Sequence, residues 1–174
     1  NDYASTVRAI HRFHAVTRDW GDIGYNYLIA PDGTIFEGRQ GGDSAIGAHT
    51  YMNNGGSIGI SFMGNYSSTN ITPAAKEAFL ELVVEKSLLH NIPITTSTLD
   101  GHRDYNNTAC PGTRLYNELN SLITIAETRR VERIEEDDPI SIAVAENHAK
   151  FNDYDQTAIM LNLITDNITN TEID

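Results

Sequence analysis

The beginning of the chain shows two apolar patterns with different periods. Over residues 7–15 the apolar side chains recur every three or four positions, which predicts a helix with one buried face. Ser5 or Thr6 is the expected N-cap of this helix, because a hydroxyl oxygen can accept from a free amide of the first turn. Residues 24–29 instead alternate and are rich in aromatic and β-branched side chains, which predicts a strand.

A tight turn and a long polar loop separate the strands that follow. Residues 31–33, Pro-Asp-Gly, predict the turn of a hairpin whose return strand covers residues 34–39. Residues 40–56 are rich in Gly, Asn and Ser and predict a loop long enough to carry function. Residues 57–63 are almost continuously apolar, which predicts a buried strand in a central position of a sheet.

Two further helices are predicted before the composition changes. Thr72-Pro73 begins the first of them, with proline at its first position, and the helical period continues to His90. The other follows Pro111-Gly112 and ends at about Ala126. These elements together predict one α/β (α+β) domain over residues 1–126.

The C-terminal part differs from this domain in charge. The whole chain has a net charge of −12. From residue 126 onward there are twelve acidic and four basic residues, so −8 of the charge lies there. We interpret residues 127–139 as a solvated linker and residues 140–174 as an acidic extension, either helical or the start of another domain.

Composition excludes several classes of function. A strongly acidic chain lacks the basic face of a nucleic-acid-binding protein, so no nucleic-acid partner is expected. No apolar run approaches the roughly 20 residues of a transmembrane helix, so no membrane span is expected. The single cysteine, Cys110, cannot form a disulfide within the chain.

His102 and Cys110 are the first candidates for chemistry. They lie eight positions apart across a polar loop, and imidazole nitrogen and thiolate sulfur are both good zinc ligands. Two ligands fall short of the three that a catalytic zinc site takes from the protein. The spacing alone is therefore a weak signal, and a hydrogen-bonded surface histidine with a small buried cysteine is the default interpretation.

Several segments together resemble the amidase-2/peptidoglycan-recognition family. They occur in the family's order, at its approximate spacing, and cover about residues 5–125. The segments are residues 20–29, 31–39, 47–50, 57–66, 101–104 and 109–112. The resemblance implies a central mixed β-sheet flanked by helices, with a zinc and substrate groove at one end of the sheet.

The resemblance also implies a Zn²⁺ cofactor. His102 and Cys110 match two of the family's three zinc ligands. The third is a histidine that ends a strand before the first helix, and we expect this chain to begin after that strand and to bind zinc weakly. His11 and His14 are not assigned to the metal in its place.

The resemblance implies catalytic and substrate-binding residues too. Tyr25 matches the tyrosine of catalytically active members, and Thr108 stands where some members place a lysine. Ser61 replaces the glutamate that some branches use as a base, which favours the tyrosine-using branch. The positions that match the substrate groove are His14, Arg18, His49, Tyr51 and Asn54.

The implied reaction is zinc-dependent hydrolysis of the amide between N-acetylmuramic acid and the L-alanine of the stem peptide. Zinc would activate water, and Tyr25 would orient that water or donate to the developing oxyanion. The partner would be peptidoglycan or a muropeptide, and we expect a monomer that is secreted or held in the cell envelope. One alternative is a module that binds peptidoglycan without cleaving it. Another is an unrelated hydrolase with Cys110 as its nucleophile.

Overall fold

The structure, a computed structural model, describes residues 2–137. The predicted extension over residues 140–174 lies outside these residues, as do the last two residues of the predicted linker. Among residues 2–137, no helix combines the length and the apolar character needed to cross a membrane.

The first helix, α1 (Tyr3–Arg12), begins earlier than its apolar period predicts. Asp2 is the N-cap, because its carboxylate accepts a hydrogen bond from the amide of Ser5 at 3.0 Å. The prediction that Ser5 or Thr6 caps the helix is therefore wrong. A wider π-helical turn, Phe13–Thr17, continues directly from α1.

A small mixed sheet of three short strands lies at the centre. These are β1 (Tyr27–Ile29), β2 (Ile35–Glu37) and β3 (Ile60–Phe62), in the order β2-β1-β3. β1 pairs antiparallel with β2 across the predicted turn, and parallel with β3. The buried strand β3 thus lies at one edge of the described sheet, whereas a central position was predicted.

Side chains leave a strand in alternation, so the central strand β1 contributes to two cores. Ile29 and Phe62 belong to the larger core, and the Phe62 ring lies 5.2 Å from that of Phe79 in α2 (Pro73–His90). Leu28 points to the opposite side, where it packs with Ile10 of α1 in a smaller core. The sheet is therefore covered by α1 on one face and by α2 on the other.

The sequence signals at the ends of α2 are confirmed. Thr72 caps the helix through its hydroxyl, which accepts from the amide of Ala75 at 3.1 Å. Pro73 occupies the first helical position. Asn91 ends the helix in the left-handed conformation, which asparagine tolerates better than most residues.

The last described helix, α3 (Thr113–Asp137), is longer than predicted. It continues past Ala126 because its charged residues find partners on the rest of the domain. Arg129 pairs with Glu77 of α2 at 2.7 Å, and Glu127 accepts from the amide of Ile94 at 2.8 Å. Residues 127–137 are thus helical, whereas a linker was predicted there.

Candidate functional site

His102 opens a short 3₁₀ turn, His102–Asp104, that precedes α3. Its Nε2 lies 3.0 Å from Oδ1 of Asn106. With that oxygen as acceptor, Nε2 carries the proton and Nδ1 keeps the lone pair that a metal ligand needs. Asn106 thus orients the imidazole, a role that the sequence pattern did not indicate.

Cys110 has a buried thiol on the side of the sheet covered by α1. It shares the smaller core with Ile10, Leu28 and Tyr25, so segments far apart in sequence bring the thiol and the phenol into one cluster. The hydroxyl of Thr108 accepts a hydrogen bond from the amide of Cys110 at 3.2 Å. Thr108 therefore holds the turn that presents the cysteine.

Tyr25 lies at the inner end of a row of ring contacts. The exposed guanidinium of Arg18 lies 5.9 Å from the centre of the Trp20 ring. The Trp20 ring contacts that of His14 at 4.8 Å, and His14 meets Tyr25 edge-on at 5.4 Å. The row connects the surface to a phenol that is only 3% exposed.

The π-helical turn positions His14 in this row. The wide turn closes with the amide of Arg18 donating to the carbonyl of Phe13 at 2.9 Å. The side chain of His14 then faces inward, where its Nδ1 accepts from the amide of Gly24 at 3.2 Å. Single π-helical turns are frequent at functional sites, because they re-aim one side chain.

The ring of His49 is held between two glycines. A Cβ atom at Gly47 would lie 2.2 Å from Cδ2 of His49, and one at Gly59 would lie 2.4 Å from the same atom. Asn54 fixes the backbone here, because its Oδ1 accepts from the amides of His49 at 2.8 Å and Thr50 at 2.7 Å. The ring of His49 can therefore take this orientation only because residues 47 and 59 are glycines without a Cβ atom.

Burial lowers the pKa of His49 to about 4, and the positive charges of His102 and Arg39 act in the same direction. His49 is therefore neutral at pH 7 and acts as a hydrogen-bonding group rather than a cation.

We predict that stability falls as the pH drops from about 6.5 to about 4, because the unfolded chain then binds a proton at His49 that the folded chain does not. Above this window the contribution is complete, and at its lower end about 3 kcal/mol has been lost. Urea unfolding at pH 7, 5.5 and 4.5 measures the effect. In His49→Gln the loss should be smaller by that amount; equal losses in both proteins would contradict the assignment.

Tyr51 lies at the exposed surface, unlike His14 and His49. Its side chain is 79% exposed beside Met52, which has a φ of 68° and is 84% exposed. Arg18 is exposed as well, and its guanidinium lies 5.3 Å from the ring of Phe13. These two residues have the accessibility that a ligand contact needs, whereas His14 and His49 are buried.

Two polar groups that shape this site were not found from the sequence. Asn26 is fully buried, and its Nδ2 donates to the carbonyls of Gly42 at 2.8 Å and Ala45 at 2.9 Å, while its Oδ1 accepts from the amide of Gly59 at 2.8 Å. Its signal in the sequence is a single asparagine within an apolar strand pattern. It fastens the long loop to the segment that carries Tyr25 and leads into β1.

Asp43 is the second of these groups, and it fastens the same loop to α2. It accepts from the hydroxyl of Tyr27 at 2.5 Å and lies 2.8 Å from Nε2 of His90 and 3.4 Å from the Nζ atom of Lys86. Burial raises the pKa of Asp43, but the hydrogen bonds of Tyr27 and His90 and the charge of Lys86 outweigh it, so the pKa lies below its ordinary value.

The donor types of His102 and Cys110 fit zinc, and the described residues supply these two. Within residues 2–137, no three His, Cys, Asp or Glu side chains converge in a way that could hold a metal ion. A catalytic zinc site takes three protein ligands, so His102 and Cys110 by themselves fall short of such a site.

Comparison with known sequences places this arrangement in a family. The family described as N-acetylmuramoyl-L-alanine amidase, amidase-2, matches residues 1–113. The chain belongs to this family. Its α/β fold of a small mixed sheet and flanking helices is the one that the resemblance implied.

Curated relatives of the amidase-2 chain include both recognition proteins and amidases. Peptidoglycan-recognition protein SC2 of Drosophila simulans is 40% identical over 113 residues, which are 65% of this chain and 60% of that protein. The N-acetylmuramoyl-L-alanine amidase of Homo sapiens is 34% identical over 116 residues, 67% of this chain and 20% of that protein. The chain thus spans about 60% of the length of the Drosophila relative and a smaller share of the human one.

A solved structure of the same kind carries a ligand. It is peptidoglycan recognition protein-LE in complex with tracheal cytotoxin, a monomeric diaminopimelic acid-type peptidoglycan. The two structures align with a TM-score of 0.60 at 35% identity, over 67% of each chain. Membership of a peptidoglycan recognition and amidase family is therefore supported by sequence and by fold.

Proposed function

We propose that this amidase-2 chain binds muropeptide in the groove lined by its exposed and ring-stacked residues, and that it serves hydrolysis of the amide between N-acetylmuramic acid and L-alanine. The observation that carries the proposal is the shared cluster of Tyr25 and Cys110, with His14 edge-on to the phenol. A relative at 35% identity holds a monomeric peptidoglycan, which supports the ligand class.

Binding depends on residues that differ in accessibility. Arg18 is a cation at the outer end of the row of rings, and a guanidinium can bind a carboxylate of a stem peptide with two hydrogen bonds. Tyr51 offers an exposed aromatic face. His49, neutral at pH 7, offers a hydrogen-bonding ring without the cost of a buried charge.

Hydrolysis depends on the inner residues. His102 and Cys110 would hold zinc, which supplies activation of water and polarisation of the scissile carbonyl when it is bound together with a third ligand. Tyr25 would donate a hydrogen bond to the oxygen that gains charge in the transition state. Thr108 holds the turn of Cys110 but brings no positive charge to the site.

A secreted or cell-envelope location and a monomeric state follow from the proposal, since its substrate lies outside the cytoplasm and one chain supplies the groove. A module that binds without cleaving is the second candidate. It is favoured by the recognition proteins among the relatives.

Replacing Tyr25 with phenylalanine is expected to separate binding from hydrolysis. The change removes one oxygen and keeps the ring that His14 contacts, so the affinity for muropeptide should change less than threefold. Release of stem peptide should fall about a hundredfold or more, because a donor to the developing oxyanion is lost. Titration calorimetry measures the first quantity and chromatography of the released peptide the second, with zinc present.

The matched control for this experiment is Tyr105→Phe. The hydroxyl of Tyr105 donates to Asp100 at 2.7 Å, and Tyr105 is not a member of the smaller core. It should leave both quantities unchanged. Binding without release in the unsubstituted chain would select the recognition module. Absence of binding to peptidoglycan of every chemotype would refute the proposed function as a whole.

A further inference from the structure

Arg103 forms a fork between the two segments that carry the candidate zinc ligands. It follows His102 directly in the 3₁₀ turn, and its Nε donates to the carbonyl of Cys110 at 3.1 Å. Its Nη2 donates to the preceding carbonyl, that of Ala109, at 2.5 Å. One rigid guanidinium therefore binds two successive carbonyls, one of them the cysteine's own.

The guanidinium is itself held from α3. It lies 4.6 Å from the centre of the Tyr116 ring, whose hydroxyl donates to Asp104. The other oxygen of Asp104 accepts from the amide of Gly101 at 2.8 Å. A Cβ atom at Gly101 would lie 2.9 Å from Cδ2 of Tyr116, so the tyrosine also packs against the residue before His102.

These contacts close a ring around His102. Asp104 and Tyr116 fix the residues on both sides of the histidine, and Arg103 extends from the same turn to the backbone of Cys110. None of these three side chains belongs to the candidate ligand set. Their shared effect is to hold the two donor residues in one mutual arrangement before any ligand arrives.

We propose that Arg103 is a positioning residue that sets the place of Cys110 relative to His102. The proposal rests on the proposed function, in which these two residues are zinc ligands. The guanidinium of Arg103 acts through its geometry rather than its charge. Lysine has the same charge but cannot present two parallel donors to two carbonyls. Outer residues of this kind commonly change metal affinity by about 10–100-fold.

The rate of thiol alkylation tests the proposal without a metal. Cys110 is the single cysteine of the chain and is 6% exposed, so iodoacetamide reports local opening at this one site. Arg103→Lys and Arg103→Gln should both react about tenfold faster than the unsubstituted chain under native conditions, since charged hydrogen bonds to the Cys110 segment are lost. Arg114→Lys is the matched control, because Arg114 bonds to Asn70 at 3.0 Å and should leave the rate unchanged.

Urea unfolding of each variant separates local from global opening. If an Arg103 variant does not fold, Tyr116→Phe replaces it, because this change keeps the ring under the guanidinium and removes only the bond to Asp104. It should raise the rate by a smaller factor, about threefold. Rates equal to that of the unsubstituted chain in the folded variants would overturn the positioning role.

Zinc protection of Cys110 distinguishes this proposal from the proposed function. Zinc should slow alkylation of the unsubstituted chain, and the half-protecting zinc concentration should rise about tenfold in Arg103→Lys and stay unchanged in Arg114→Lys. Failure of zinc to protect even the unsubstituted chain would refute the zinc pair. The alkylation rates without metal would still decide whether Arg103 positions Cys110.

Discussion

Replacing Gly59 with alanine is expected to destabilise the domain by about 3 kcal/mol and to abolish muropeptide binding. The added Cβ atom would lie 2.4 Å from Cδ2 and 2.5 Å from Cγ of His49, distances that real contacts do not reach. The imidazole cannot move aside cheaply, because it is 3% exposed and Gly47 closes its other side. The ring must leave its place or the strand entry at Gly59 must shift.

Urea unfolding and titration calorimetry with a muropeptide measure the two effects of this change. Gly55→Ala is the matched control, because Gly55 precedes the same strand and nothing lies within 4 Å of a Cβ atom built there. It should leave both quantities near those of the unsubstituted chain. A Gly59→Ala protein with full stability and full affinity would show that the position of His49 is not fixed by this glycine.

The elements that were predicted correctly are determined by residues within the element or directly beside it in the sequence. The ends of α2 are set by Thr72, Pro73 and Asn91, each of which acts within its own turn. The buried character of β3 follows from its continuous apolar residues. Local chemistry of this kind can be read from one sequence without knowledge of the fold.

The elements that were predicted wrongly depend on distant partners. The charged residues beyond Ala126 were expected to be solvated, but Arg129 and Arg133 pair with glutamates of α2, so α3 continues. The N-cap of α1 is a different case, because Asp2 precedes the apolar period by which the start of the helix was judged. A period locates the buried face of a helix but not its first residue.

The same distinction applies to the candidate site. Motif order in the sequence selected His102, Cys110 and Tyr25, and the structure places Tyr25 and Cys110 in one buried cluster. The order of the motifs could not indicate Asn106 or Arg103, because their roles are defined by hydrogen bonds to His102 and to the backbone of Cys110. Residues that position others carry no signature of their own type, because many side chains can make a hydrogen bond.

Replacing Asn26 with aspartate is expected to cost about 4 kcal/mol at pH 7, the largest effect of any single change proposed for this chain. The side chain is fully buried, and its amide nitrogen donates to the carbonyls of Gly42 and Ala45. Aspartate has the same size and can still accept from the amide of Gly59. Its second oxygen, however, would face two carbonyl oxygens as an uncompensated buried anion.

The cost of Asn26→Asp should shrink as the pH falls, and this dependence separates it from a loss of packing. Burial and the two carbonyls would raise the pKa of the new carboxyl in the folded state, so the folded variant binds a proton that its unfolded chain has released. The protonated group can donate to one of the carbonyls and recover part of the lost stability. Unfolding in urea at pH 7 and pH 5 should therefore show a smaller difference from the unsubstituted chain at pH 5.

Asn53→Asp is the matched control, because Asn53 lies in the same loop and donates one longer bond, to the carbonyl of Tyr51 at 3.3 Å. It should cost less than about 1 kcal/mol and show little change with pH. A loss in Asn26→Asp that is equally small would mean that the loop is held without this amide. Since Asn26 bonds both the loop at Gly42 and the strand entry at Gly59, its loss should also displace His49 and weaken muropeptide binding.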